Sequence, residues 1–258
     1  MTHPYFAGLD APRVLAHRGL VTPELEAGGV AENSWASMLA AVDAGAQYVE
    51  SDCHLTSDGV AVLFHDADLR RVAGDPREIA SVPYAELRSL MADRGGLLTL
   101  EDALGAFPAA RFNLDVKAEA AAEPMGRLIA PHAERVLLTS FSDRYRLRAL
   151  AAARSVRGSA RPATSPGRGG IARVLLGVAS RSRRQQAAAF EGIDALQVPE
   201  RYGAVRVLSP RLIDAAHRAG VEVHVWTVND PERMRALVSL GVDGVITDRA
   251  DLALRALG

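Results

Sequence analysis

Cysteine is almost missing from this sequence, and several other class-defining signals are missing with it. The 258 residues include one cysteine, Cys53, so no intramolecular disulfide can form, and a reducing compartment suits the chain. No charge of either sign dominates. The formal net charge is −1, which leaves no field to draw in nucleic acid or an acidic membrane surface. No apolar run is long enough to cross a bilayer, so stable membrane insertion is not expected. The opening MTHPYFAGLDAPRVLAHRG has no basic segment followed by an apolar one, so no signal peptide is read there and a cytoplasmic location is expected. No G-x-G-x-x-G follows the first strand, which argues against an open dinucleotide-binding sheet. What remains is ordinary for a globular protein with a sizeable core: 48% hydrophobic and 24% charged residues. Nothing in the sequence fixes an oligomeric state.

The stretch Tyr48 to Asp66, YVESDCHLTSDGVAVLFHD, carries the densest chemistry. Tyr48, Val49 and Cys53 suit a strand. Side chains alternate along a strand, so Glu50 and Asp52 point the same way and Cys53 the other, as a packed thiol. Two carboxylates on one face repel unless a cation sits between them, and oxygen ligands suit a hard divalent ion, Mg²⁺ or Ca²⁺. The turn Thr56-Ser57-Asp58-Gly59 is too short for a parallel crossover. It therefore makes an antiparallel hairpin that swings His65 back towards the end of the strand bearing Glu50 and Asp52.

Eight barrel-type strands, starting near residues 13, 48, 111, 135, 173, 195, 221 and 244, mostly alternate with helical segments. Alternation implies a parallel sheet, and eight units imply a closed (β/α)₈ barrel, an α/β fold with a small hairpin insertion after the second barrel strand. Residues 1–258 are read as one barrel domain. Asn33 or Ser34 caps a helix, Thr99 caps another, and Asn229-Asp230-Pro231 opens a third. The stretch VRGSARPATSPGRGG reads as a loop and ARVLLGVA as the fifth strand.

In such a barrel the active site lies at the C-terminal strand ends. His17-Arg18, Glu50 and Asp52, Asp115 and Lys117, Trp226, and Thr247-Asp248 all fall there. Each has a plainer reading. A single histidine after a strand is usually structural, Asp115 and Lys117 can be a salt bridge, and Trp226 can be core. His54, His132 and His217 are read as structural, with His224 facing the barrel. The arginine-rich stretch 154–184 is read as a solvated surface rather than a phosphate site. The gathering of so many polar residues at one end is what argues for function.

These motifs resemble the glycerophosphodiester phosphodiesterase family. The stretches that carry the resemblance are AHRG at 16–19, AENS at 31–34, E-S-D at 50–52, TSDGVAVLFHD at 56–66, LTLEDAL at 98–104, FNLDVK at 112–117, VWTVND at 225–230 and GVDGVITD at 241–248. The chain is most similar in size to the short intracellular bacterial members. The resemblance implies a (β/α)₈ barrel that hydrolyses glycerophosphodiesters to glycerol 3-phosphate and an alcohol in a metal-dependent reaction. It further implies His17 and His65 as general acid and base, and Glu50, Asp52 and Asp115 as ligands of a divalent metal, Mg²⁺ or Ca²⁺. Arg18 and Lys117 would contact the phosphate, Trp226 would pack against the substrate, and a cyclic phosphate would be the intermediate. Two departures stand out. Asp115 replaces the family's usual glutamate, and the loop after Gly19 is longer, with Ala31 for a common proline. Two other readings use the same residues: a lysophospholipase D-type lipid-headgroup phosphodiesterase and a non-catalytic ligand-binding barrel. The latter would need loss of His17 or His65.

Overall fold

Eight short runs of inward- and outward-facing residues close into a ring of parallel strands, seen in a computed structural model that describes residues 3–180 and 182–258. The chain runs through β1 (Arg13–His17), α1 (Pro23–Ala27), α2 (Trp35–Asp43), β2 (Tyr48–Leu55) and β3 (Ala61–Leu63). It continues with α3 (Arg70–Ala73), α4 (Tyr84–Met91), α5 (Leu100–Ala106), β4 (Arg111–Val116), α6 (Glu119–Ile129), β5 (Val136–Thr139) and α7 (Asp143–Ser155). Then come β6 (Ala163–Thr164), α8 (Arg168–Ala179), α9 (Arg183–Ala189), β7 (Ala195–Val198), β8 (Arg201–Tyr202) and β9 (Val205–Arg206). The last elements are α10 (Pro210–Arg218), β10 (Glu222–Val225), α11 (Pro231–Ser239), β11 (Gly244–Thr247) and α12 (Ala250–Leu257). The strands neighbour one another in the order β6-β5-β4-β2-β1-β11-β10-β7, each barrel pair parallel. Loop bonds bring β6 and β7 together: Asp194 N–H donates to the Thr164 carbonyl at 2.9 Å, and Gln197 N–H to Ser165 Oγ at 3.1 Å.

Register decides which side chains share a level inside the ring. His17, Glu50, Asn113 and Leu137 lie side by side on β1, β2, β4 and β5. One pleat higher, Asp52, Asp115 and Thr139 are neighbours. Below that level, Leu15, Tyr48, Ala195 and Ile246 join Leu137 in packing around Tyr5 and Phe6, which come from a single turn at Pro4–Phe6 and stopper the bottom. The opposite strand faces meet the helices in the main apolar layer, where Cys53 lies, its thiol pushed up to about 12 by burial.

The interior is also crossed by a polar column. Asn113 Nδ2 donates to Gln197 Oε1 (3.3 Å), Gln197 Nε2 to His224 Nδ1 (3.3 Å), and His224 Nε2 to Glu222 Oε2 (3.0 Å). Groups this deep need partners, because an unmade bond costs the full desolvation of the group. His224, expected to face the barrel, is fully buried in this column.

The fifth barrel strand is not where the sequence placed it. The stretch around 173 is helix α8, and the strand is the two-residue β6 inside the supposed loop. Ile171, Val174, Leu175 and Val178 recur at i, i+3, i+4 and i+7, which is a helical period. All four are at least partly buried, while Leu176 between them is 72% exposed. A strand of two residues flanked by prolines has no alternation to detect. The insertion after β2 begins as the expected hairpin, with Cys53, His54 and Leu55 opposite Leu63, Val62 and Ala61. It then extends through α3 and α4, which build a small core of their own from Val62, Phe64, Leu69, Ile79, Val82, Leu87 and Met91. Helix α6 runs to Ile129 and then tightens into a 3-10 turn over Ala130–Arg135.

Candidate active site

The last residue of β1, His17, is followed by two residues with positive φ, Arg18 at 58° and Gly19 at 84°. This sharp turn is held by the Arg18 N–H, which donates to the Glu50 carbonyl at 2.9 Å and lies 3.2 Å from Glu50 Oε2. Gly19 is required twice over. Its backbone is left-handed, and a Cβ would sit 2.6 Å from the Ser37 carbonyl oxygen of α2. Ser34 caps that helix in a reciprocal capping box with Ser37. Asn33, just before the cap, donates from Nδ2 to Asp52 Oδ2 at 3.0 Å and accepts from Ser51 Oγ at 2.6 Å. The AENS stretch thus fixes the carboxylate strand from the side.

The structure brings the predicted residues together. A cavity of about 300 Å³ at the C-terminal end of the barrel is bordered by His17, Arg18, Glu50, Asp52, His65, Asp115, Lys117 and Trp226. The two imidazoles are held alike. His17 Nδ1 meets Asp248 Oδ1 at 2.6 Å, and His65 Nδ1 meets Asp66 Oδ1 at 2.6 Å. Each ring therefore has its Nε2 left for the cavity, with His17 Nε2 3.9 Å from Glu50 Oε2. Each aspartate is anchored in turn: Asn229 Nδ2 donates to Asp248 Oδ2 at 2.7 Å, and Arg71 Nε to Asp66 Oδ2 at 2.7 Å. His54, read as structural, has its Nε2 3.2 Å from the His65 carbonyl, which steadies the hairpin exit.

Three carboxylates are buried in the same wall: Glu50 at 7%, Asp52 at 1% and Asp115 at 5% exposure. They do not share their charge evenly. Burial and the neighbouring Asp52 push the Glu50 carboxyl well above the usual range. Burial pushes Asp52 up too, but Lys117 and Arg18 outweigh it and hold Asp52 below its ordinary value. Asp115 stays raised by burial despite Lys117. Burial pulls His17 down, but its bond to Asp248 and the Glu50 charge leave it above its usual value. Like charges in a low-dielectric wall produce this split.

The cations are engaged. Lys117 Nζ lies 2.8 Å from Asp52 Oδ1 and 2.6 Å from Asp115 Oδ2. Arg18 spans Glu32 Oε1 at 2.8 Å and Asp52 Oδ2 at 3.2 Å. Among the described residues no three of His, Cys, Asp and Glu converge as they stand into a metal-holding group. Trp226 meets Phe141 edge to face, 5.9 Å between centroids, on the opposite wall.

Sequence reasoning passed over several members of this arrangement. Asp66 was visible as the neighbour of His65, and Asp248 as the end of the last strand, but neither was assigned to a histidine. In the sequence Asn33 and Asn229 stand out only at helix starts, Arg168 only within an arginine-rich stretch read as solvated, and Phe141 not at all, since their roles come from contacts made across the barrel.

Comparisons with known proteins agree with this geometry. A family model described as the glycerophosphoryl diester phosphodiesterase family matches residues 17–252. The probable glycerophosphodiester phosphodiesterase 2 of Mycobacterium tuberculosis is 37% identical over 242 residues, covering 92% of this chain and 88% of that protein. A glycerophosphodiester phosphodiesterase crystal structure from Thermotoga maritima aligns with a TM-score of 0.70 at 26% identity, over 94% of this chain and 96% of that one. A phosphodiesterase from Oleispira antarctica, in complex with the product sn-glycerol-3-phosphate, shares the fold with a TM-score of 0.69 at 22% identity, over 95% and 96% of the two chains. No helix among the described residues is long and apolar enough to cross a membrane.

Proposed function

We propose, from the premise that this chain belongs to the glycerophosphoryl diester phosphodiesterase family and is a phosphoric diester hydrolase, that it cleaves glycerophosphodiesters to glycerol 3-phosphate and a free alcohol by paired histidine acid–base chemistry. The observation that carries this reading is the pair of His–Asp contacts, His17–Asp248 and His65–Asp66, both at 2.6 Å at the edge of one cavity. A carboxylate on Nδ1 fixes the orientation of the ring and leaves Nε2 to exchange the proton. Two such rings can act in opposite senses at once.

The free hydroxyl next to the esterified carbon of the glycerol attacks phosphorus, and its proton passes to one histidine. The other histidine protonates the departing alcohol oxygen as the P–O bond breaks. The resulting five-membered cyclic phosphate is opened by water, with the two histidines exchanging roles. An internal nucleophile is favoured by its high effective concentration. Lys117 and Arg18, held in place by carboxylates before substrate arrives, are preorganised to stabilise the negative charge that grows at phosphorus.

Glu50, Asp52 and Asp115 would hold a divalent cation, Mg²⁺ or Ca²⁺. The chemistry of this donor set fits one: three buried carboxylates, one of them raised by burial and by its neighbour, and a buried Asp115 Oδ1 without a hydrogen-bond partner. Held by these carboxylates, such an ion would supply positive charge to offset the charge that grows on the phosphoryl group. Asp115 is shorter than the family's glutamate and leans on Lys117, so that carboxylate would ligate at the expense of its ion pair.

Phosphorus NMR during turnover, with and without a chelator, tests the scheme. We expect a transient cyclic phosphate, loss of turnover with EDTA and its return with Mg²⁺ or Ca²⁺. A substrate lacking the neighbouring hydroxyl should be cleaved about a hundredfold more slowly, since the proximity advantage is forfeited. Equal turnover of the deoxy analogue with no cyclic species would replace this course with direct attack by water. Full activity in metal-free buffer would remove the cation.

A further inference from the structure

Three cations border the active-site cavity: Arg18, Lys117 and Arg168. Arg18 and Lys117 are each paired with two carboxylates. Arg168, the first residue of α8, has no carboxylate within salt-bridge distance among the described residues. Its side chain is exposed and lines the cavity together with Phe141, Pro166 and Ile171. Its guanidinium carbon lies 5.2 Å from the centroid of the Phe141 ring, which fixes its direction without neutralising it. The backbone beneath is fixed as well. Asp143 accepts from the N–H groups of Gly167 and Gly170, each at 2.9 Å, and the Arg168 N–H donates to the Phe141 carbonyl.

An aromatic wall such as Phe141 and Trp226 is the usual seat of a quaternary ammonium group. Here the Phe141 part of that seat is taken. Lys117 Nζ also lies 5.3 Å from the Phe141 centroid, so two cations already share the ring. A choline headgroup would meet a Phe141 ring already engaged by two cations, and the unpaired charge of Arg168 besides. A headgroup bearing a phosphate or carboxylate would meet an unpaired guanidinium with a fork that fits it.

We propose that Arg168 is a specificity-determining residue, which selects phosphodiesters whose leaving alcohol carries an anionic group and disfavours those carrying a quaternary ammonium. This rests on the phosphodiesterase reading above and names the substrate class of the same site. Glycerol is neutral and the scissile phosphate faces Arg18 and Lys117, so the charge Arg168 answers belongs to the variable end of the substrate.

The test compares kcat/KM for glycerophosphoinositol 4-phosphate, glycerophosphoglycerol and glycerophosphocholine in the wild-type protein, Arg168→Lys and Arg168→Glu. Wild-type protein should rank them in that order. Arg168→Glu should lower the ratio of the first to the last by at least about tenfold, the worth of one charge-assisted hydrogen bond at a partly wetted site. Arg168→Lys should keep the order while narrowing it. A uniform fall across all three substrates would place Arg168 on the shared phosphate and overturn the proposal. So would a wild-type preference for choline, or ratios that do not move in Arg168→Glu. Wild-type protein that cleaves none of the three would overturn the phosphodiesterase reading and this inference with it.

Discussion

The two ends of the barrel both bury charge, and they treat it in opposite ways. At the bottom, Arg13 spends every N–H it has. Nε and one terminal nitrogen hold Glu222 at 2.7 Å each, and the remaining bonds go to Tyr48 Oη and the carbonyls of Leu9 and Phe6. Arg111 completes the layer, donating to the same Tyr48 oxygen and to the Tyr5 and Ala7 carbonyls. At the top, Glu50, Asp52 and Asp115 share one wall with Lys117 and Arg18, Asp115 Oδ1 is left unbonded, and Glu50 is pushed towards its protonated form. At the lower end every Arg13 N–H and both Glu222 carboxylate oxygens are bonded, only the neutral Tyr5 hydroxyl lacks a partner among the described residues, and the cluster fastens the N-terminal stopper to the barrel. The upper one is poised for something that is not protein.

If this contrast is real, variants at the two ends should separate rate from stability. The largest effect should come from His17→Ala or His65→Ala, each lowering kcat by about 10³-fold, within the range for a positioned acid or base. Thermal melting should barely move. A fall in Tm matching the fall in rate would make these histidines structural and break the contrast from the top.

Glu222→Ala should do the reverse. It strands Arg13, which is only 5% exposed, and should cost about 3 kcal/mol by urea unfolding, the order expected when one partner of a buried pair is removed. kcat per folded molecule should stay within a factor of about two, since a change that small is under a tenth of the loss expected from removing an acid or base. The pH dependence has a definite sign. Burial raises the Glu222 carboxyl, but hydrogen bonds from Arg13 and His224 outweigh it and hold it below the usual value of 4.5. Its contribution is therefore present above that value and lost as pH falls through the lower folded one. Wild-type protein should lose stability on acidification more steeply than Glu222→Gln. Parallel curves would mean that the lower cluster adds nothing through ionisation.

The smallest effect sharpens the contrast from within the upper end. Ser34→Ala removes a buried cap of α2 but no charge, and should cost about 1 kcal/mol. Its melting temperature should fall slightly while kcat holds. A large loss of rate would show that place in the barrel, rather than unbalanced charge, marks the functional residues.

Much of the upper end could be read without coordinates because its information is local. Glu50 and Asp52 two apart on a strand, the short turn that returns His65, and AHRG at a strand end each need only a few neighbouring residues. The lower end was silent for the opposite reason. Arg13 and Glu222 lie 209 residues apart, and neither stands in a motif. The one misplaced strand, β6, is invisible because two residues carry no period, while the apolar residues at 171, 174, 175 and 178 have a helical spacing and form α8 rather than a strand.

The sequence by itself determined the alternation that makes a barrel, the cap at Thr99, the choice of Asn33 or Ser34 and of Asn229 or Asp230 at two further helix starts, and the facing of the carboxylate pair on β2. These follow from backbone sterics and side-chain period, which act over a few residues. Only the tertiary structure decided that Asp248, 231 residues away, would hold His17, and that Lys117 would divide itself between Asp52 and Asp115. It also decided that Arg168 would reach the cavity unpaired. Which charge meets which depends on the register between strands as the ring closes, and closure joins the first strand to the last, a contact no local pattern contains.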